Sequence, residues 1–276
     1  MHCCPRLGYN RQLVPAGDFA PESTFLPSHY IAFLTMPRFF CSSDLQIGTT
    51  VELPDAVAHH CQVLRLQIGD QVVLFNGTGG SYVASLCTIE KKRVCAEVKT
   101  FDPKEVELHY ALTLAQALPE AGKLDWIIEK AVELGAAGFQ PLVTQRCVTR
   151  LSGERAEKRR AHWQGIIASA SEQCGRNRLA QLGNIMDFKP WIAQQDLHRR
   201  IVLLPDAEQS LAEWAHHHPA QALTLIIGPE GGLSEQESAL AIAHGAIPVA
   251  MGPRILRTET AGLAAISTIN AHWGGM

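Results

Sequence analysis

No apolar run in this chain of 276 residues approaches the roughly 18 that a membrane helix needs. The N-terminus does not read as a secretory leader either. Its best apolar stretch, Tyr30 to Leu34, is short, and Pro, Asp and Glu precede it. The expectation is a soluble, cytoplasmic protein. None of the eight cysteines sits in a C-x-x-C pair, and no Cys/His set has zinc-finger spacing. Scattered as Cys3, Cys4, Cys41, Cys61, Cys87, Cys95, Cys147 and Cys174, they read as buried free thiols, so no metal is expected. His216, His217 and His218 precede Pro219 and read as a solvated helix end. There is no internal repeat. A general basic excess is missing too: the net charge is -3, which argues against a generic phosphate binder.

A hydrophobic content of 46% is enough for a substantial core. Charged residues make up 18% with both signs mixed, which excludes a wholly disordered chain. A local basic patch remains compatible with RNA. Between Thr144 and Arg178, eight positive side chains (Arg146, Arg150, Arg155, Lys158, Arg159, Arg160, Arg176, Arg178) face three negative ones (Glu154, Glu157, Glu172). A solvated helix face is the plain alternative for Lys158 to Arg160.

Residues 1–35 contain Pro5, Pro15, Pro21 and Pro27 with little periodicity, and read as a flexible extension. Residues 36–105 read mostly as strands. Gln71 to Asn76, Ser81 to Glu90 and Arg93 to Thr100 are separated by the turns Gly77-Thr78-Gly79-Gly80 and Lys91-Lys92, with a short helix over Asp55 to Leu64. A small β-barrel fits. Residues 106–276 alternate strands and helices. Leu108 to Ala117, Phe139 to Val143, Ile201 to Leu204 and Leu223 to Ile227 are strands. Helices are expected over Leu124 to Leu134 and Glu154 to Glu172. The fold class is α/β with a mostly parallel sheet, and the boundary falls where Pro103 interrupts the pattern.

The strongest motif is Leu225-Ile226-Ile227-Gly228-Pro229-Glu230-Gly231-Gly232-Leu233-Ser234-Glu235-Gln236-Glu237. A buried strand enters a glycine turn and then a helix opened by the S-x-x-E pair Ser234 and Glu237. The loop matches neither G-x-G-x-x-G nor G-x-x-x-x-G-K-[ST], which leaves dinucleotide and P-loop readings weak. Glu230 would repel a phosphate and suits a ligand with a cationic centre. A second motif, Met251-Gly252-Pro253-Arg254-Ile255-Leu256-Arg257-Thr258-Glu259-Thr260-Ala261, follows the strand Ile247 to Ala250 and enters a helix. Arg257 offers a fixed cation for phosphate or base oxygens.

Together these two motifs resemble the SPOUT class of methyltransferases. Within it the chain is similar to the RsmE family, the uridine-N3 methyltransferases of small-subunit ribosomal RNA. Glu129 to Gly135, Gln145-Arg146-Cys147, Ser171 to Asn177, and His59-His60 followed by Val63 to Leu66 and Gly69-Asp70 extend the resemblance over about residues 37–274. It implies a trefoil-knotted SPOUT methyltransferase domain behind a PUA-like RNA-binding β-barrel. It also implies a homodimer with sites at its interface, and S-adenosyl-L-methionine as cofactor. The implied partner is 16S ribosomal RNA or the small ribosomal subunit, with neither membrane nor metal.

The cofactor pocket is then expected in three loops: Leu203, Leu204 and Pro205; Gly228, Glu230, Gly231 and Gly232; and Met251, Gly252, Leu256, Thr258, Glu259 and Thr260. Arg257, Glu172, Arg146 and Asn177 are the candidates for holding the target base. Arg38, Arg65, Arg155, Arg159 and Arg176 are those for RNA. For Arg146 and the Glu172 to Asn177 segment, a buried structural ion pair stays open as the alternative. Two rival functions remain: a SPOUT ribose 2′-O-methyltransferase acting on tRNA or rRNA, and a non-catalytic ribosome-assembly factor.

Overall fold

The computed structural model describes residues 36–275 apart from Lys92 and Ala121. The expected extension over residues 1–35 lies outside the described residues. Pro37–Met276 forms one compact unit.

Its first part is a five-stranded sheet. The strands are β1 (Arg38–Phe40), β2 (Thr50–Glu52), β3 (Gln71–Phe75), β4 (Ser81–Ile89) and β5 (Val94–Asp102), in the order β1-β3-β4-β5-β2. The β1–β3 pair is parallel and the others are antiparallel. Helix α1 (Asp55–Val63) lays Val57, Ala58 and Cys61 over Val72, Leu74, Leu86 and Val98, which close a core of their own.

The second part is a wholly parallel sheet of β6 (Leu112–Ala117), β7 (Gly138–Val143), β8 (Gln181–Leu182), β9 (Met186–Asp187), β10 (Arg199–Leu203), β11 (Leu223–Ile227) and β12 (Ile247–Val249). Its order is β12-β10-β11-β6-β7-β8, with β9 also on β7. Successive residues of a strand face opposite sides. Leu225 and Ile227 therefore join one core with α2 (Lys123–Glu133), α3 (Gly153–Cys174), α5 (Leu211–His217) and α7 (Thr258–Trp273). Ile226, between them, joins the other core with α4 (Phe188–Ile192) and α6 (Glu235–Ala243). Burial on both faces explains why these strands read as unbroken apolar runs.

The expected strand over Leu108 to Ala117 starts only at Leu112. Its neighbours begin opposite Leu112 and Thr113, at Leu223 and Gly138, so no parallel partner exists further back. The two-residue strands β8 and β9 carry no sequence pattern and were not expected. Cys3 and Cys4 lie outside the described residues; the six described thiols are free, as expected, but Cys87 is exposed and Cys174 only half-buried. No described helix is long and apolar enough to cross a membrane.

The two sheets meet at a fixed joint. The peptide N–H of Phe40 donates to Glu172 Oε1 at 2.8 Å, and Arg38 Nη2 donates to Asn177 Oδ1 at 2.8 Å. Asn177 Nδ2 donates to the Lys104 carbonyl at 2.8 Å. The Arg176 guanidinium grips the Glu107 carboxylate through Nε (3.0 Å) and Nη2 (2.6 Å). Its Nη1 caps the end of α2 at the carbonyls of Ala136 (2.7 Å) and Val132 (3.1 Å).

Candidate cofactor and substrate site

In a parallel sheet every strand ends on the same edge, and ligands sit beyond that edge. The loops after β6, β10, β11 and β12 therefore open side by side. Three of them are tied together by polar groups. The Thr258 hydroxyl donates to the Gly228 carbonyl at 2.6 Å and accepts from Gln116 Nε2 at 2.9 Å. Gln116 Nε2 also reaches the carbonyl of Ala117 at 3.0 Å. Gln116 and Thr258 are both buried, which makes this a clasp between the end of β6, the glycine loop and the start of α7.

The glycine loop itself is tightly turned. A Cβ on Gly228 would come within 2.9 Å of Leu233 N and 3.0 Å of the Gly232 carbonyl carbon, both rigid backbone. Gly232 has φ +69, where a side chain is strained. Ser234 and Glu237 form the expected capping box, and Glu237 Oε1 additionally accepts from Gln145 N at 2.7 Å. Arg146 Nη1 donates to the carbonyls of Gly231 (2.7 Å) and Leu233 (3.3 Å), bracing the loop from outside.

Beside this loop lies a cleft of about 260 Å³ lined by Lys123, Glu230, Ile255, Leu256, Arg257, Thr258 and Glu259. Lys123 Nζ lies 2.7 Å from Glu230 Oε1, 3.4 Å from Glu120 Oε2 and 3.9 Å from Glu259 Oε2. Partial burial would raise the Glu230 carboxyl. The hydrogen bonds from Lys123 and the Glu120 amide outweigh it and hold the group below its ordinary range. The Glu230 hydrogen bond is likewise the main reason the Lys123 ammonium is held above its usual value. The Arg257 side chain is exposed, and no partner for it is found among the described residues. Glu259 Oε2, in the cleft lining, and Gln116 Oε1, buried in the clasp, have no hydrogen-bond partner.

The comparisons with known proteins decide the family. Residues 106–270 match the model of the RNA methyltransferase domain, and residues 53–99 match that of the RNA methyltransferase PUA domain. The ribosomal RNA small subunit methyltransferase E of Synechocystis is 34% identical over 248 residues, covering 87% of this chain and 79% of that protein. The Buchnera aphidicola (Schizaphis graminum) protein of the same name is 30% identical, covering 87% and 98%. This chain belongs to the ribosomal RNA small subunit methyltransferase E family. Among solved structures, the Neisseria gonorrhoeae methyltransferase E bound to S-adenosylmethionine superposes with a TM-score of 0.80 at 36% identity, over 86% of this chain and 98% of that one. A Legionella pneumophila methyltransferase in complex with the same cofactor gives 0.81 at 33%, over 86% and 97%.

For a methyltransferase E chain, the sequence expectations divide clearly. Glu230, Leu256, Arg257, Thr258 and Glu259 converge on the cleft, while Gly228, Gly231 and Gly232 form the adjoining loop that Arg146 braces. Thr258 turns its hydroxyl away from the opening, into the clasp. Leu203, Leu204 and Pro205 and the turn at Met251 and Gly252 lie on the same edge of the sheet: Leu204 N donates to the Val249 carbonyl at 3.0 Å. They do not line the cleft. Thr260 is exposed.

Glu172 and Asn177 do not converge with Arg257 in this chain. Helix α3 leaves the cleft edge after β7 and runs 22 residues back, about 33 Å, so its last turn lies at the opposite edge. There Arg176 makes the buried ion pair that the sequence left open as an alternative, and Asn177 and Glu172 hold the front sheet. Arg38 and Arg176 are consumed by this joint, and Arg159 by Asp125 (3.6 Å) and the Trp163 ring (5.9 Å), so none presents a free guanidinium to RNA. Arg65 and Arg155 are exposed and have no partner among the described residues. Lys158, Arg160 and Arg178 pair with Glu154 (2.7 Å), Glu157 (4.0 Å) and Glu105 (3.6 Å), which quiets most of the patch. Sequence reasoning missed Gln116 and Lys123. Gln116 is a polar residue inside an otherwise apolar buried strand, and that anomaly was the available signal.

Proposed function

We propose that this chain uses S-adenosylmethionine to methylate small-subunit 16S ribosomal RNA at uridine N3 in the decoding region. The supporting observation is the cleft at the strand ends, where the clasped glycine loop and the Arg257 guanidinium face one opening. The cofactor supplies an activated methyl as a sulfonium. The site suits such a group: Glu230 and Glu259 present carboxylates to a cation, and Glu259 Oε2 has no hydrogen-bond donor of its own.

Uridine N3 carries a proton, and its lone pair is available only as that proton leaves. Arg257 is the group in position to stabilise the charge developing on O2 or O4. Gln116 and Thr258 hold the loop, and Arg146 braces it. The division at residues 105/106 leaves the front sheet to carry RNA through Arg65, with Arg155 on α3 as a second contact. The working form is a cytoplasmic homodimer. The SPOUT knot fits the path of the chain: after β12 at the sheet edge it returns to pack α7 against α2 and α5, beneath the β11 loop.

The test is mass spectrometry of nucleosides from 16S rRNA of a strain lacking this gene, with and without its return. N3-methyluridine should vanish and reappear. An unchanged N3-methyluridine level, or loss of a 2′-O-methylated nucleoside instead, overturns the assignment.

A further inference from the structure

We infer that the charged ring of Lys123, Glu120, Glu230, Glu259 and Arg257 makes the cleft distinguish the cofactor before transfer from the cofactor after it, by charge. The inference rests on the reading of this cleft as the S-adenosylmethionine site. Lys123, Glu230, Arg257 and Glu259 line the cleft and Glu120 stands beside Lys123, so the group of five, three carboxylates and two cations, is formally negative. Lys123 is the centre of the arrangement, within 4 Å of all three carboxylates. The arrangement also bridges three loops: Glu120 after β6, Glu230 after β11, and Glu259 at the start of α7. Lys123 donates to Glu230 Oε1, but leaves Glu259 Oε2 without a hydrogen bond.

Methyl transfer changes the charge of the bound molecule. The N3–C bond forms as the C–S bond breaks, its electron pair stays on sulfur, and the N3 proton passes to solvent. A sulfonium cation becomes a neutral thioether. A negative mouth favours the first and has no such hold on the second. The ring therefore aids exchange of S-adenosylhomocysteine for fresh S-adenosylmethionine. Lys123 tempers it: without the ammonium the discrimination would be larger.

The two kinds of residue thus predict opposite effects, which a merely structural role does not. The experiment is isothermal titration of the full chain with S-adenosylmethionine and, separately, S-adenosylhomocysteine. Glu230→Gln should lower the affinity ratio of the first over the second by about threefold to tenfold, and Lys123→Met should raise it by a similar factor. Added salt should shrink both changes. Glu120→Gln, at the most exposed carboxylate, should act as a weaker Glu230→Gln and carries the test if that variant does not fold. Ratios that stay constant, or that move the same way in the Glu and Lys variants while both ligands still bind, overturn the inference but leave the cofactor site standing. Wild-type affinity for both ligands in Gly228→Val as well would show that the cleft is not the cofactor site at all.

Discussion

Thr258, the first residue of α7, donates its hydroxyl proton to the Gly228 carbonyl 30 positions earlier, at 2.6 Å. The same hydroxyl accepts from Gln116, so one buried side chain closes the end of β6, the glycine loop and the last helix on one another. Thr258→Val keeps the shape and removes both bonds. It takes one acceptor from the buried Gln116 amide and the Thr258 donor from the Gly228 carbonyl, a cost of about 1–3 kcal/mol. The expected result is a lower melting temperature together with weaker S-adenosylmethionine binding by titration. Unchanged binding in the folded variant would mean that the clasp does not shape the pocket.

Gly228 makes a sharper demand than the other loop glycines. A Cβ there meets backbone at 2.9 Å, whereas one on Gly231 meets the flexible Arg146 side chain at 3.4 Å. Gly228→Val should abolish cofactor binding with the far-ultraviolet circular dichroism intact, and Gly231→Ala should bind within a few-fold of wild type. Equal losses in the two would place the requirement on ligand approach rather than on the turn itself.

Arg176 and Glu107 form a nearly buried, two-pronged pair at the joint between the sheets. Arg176→Ala strands the Glu107 carboxylate and the carbonyls of Val132 and Ala136, and should cost about 3–5 kcal/mol. Chemical denaturation measures it. A loss below 1 kcal/mol would show that water or a neighbour replaces the guanidinium.

Glu172 gives a pH dependence of known sign. Burial raises its carboxyl above the ordinary 4.5, against the lowering effects of the Phe40 N–H and of His60 and Arg38. A folded value above the unfolded one means that the folded state holds the proton longer. Stability from this group is therefore present at low pH and declines as pH rises above about 4.5, through the folded value. Glu172→Gln keeps an acceptor for Phe40 and removes the titration. Wild type should lose melting temperature relative to the variant across that rise. A gap that widens on acidification instead would reverse the assignment.

How far the sequence spoke depended on the kind of signal. The strands β6, β7, β10 and β11 announced themselves because burial on both faces produces apolar runs such as Leu223–Ile227. The Ser234–Glu237 cap was legible because a capping box is local. The pairing of Lys123 with Glu230 joins residues 107 positions apart, and no local pattern carries it. Likewise Glu172 and Asn177 stood beside Arg257 among the candidates because the motif resemblance grouped them. Only the length and direction of α3 separate them. The motif resemblance supplied the family; it did not supply which arginines are already spent on ion pairs.

The basic segment makes the last prediction, because the structure splits two arginines that the sequence treats alike. Arg155 stands exposed on the first turn of α3 without a partner, while Arg159, one turn on, is held by Asp125 and lies over Trp163. Arg155→Glu should weaken RNA binding and lower its salt slope by about one, with S-adenosylmethionine affinity and melting temperature unchanged. Arg159→Glu places a carboxylate against Asp125 and should lower the melting temperature as well. The assay compares methylation of small ribosomal subunits, naked 16S rRNA and a short hairpin carrying the target uridine. With a net charge of -3, the protein should hold loose RNA weakly and prefer the shaped particle. Equal rates on all three substrates, or an Arg155→Glu variant with wild-type binding at every salt concentration, would remove α3 from the RNA footprint.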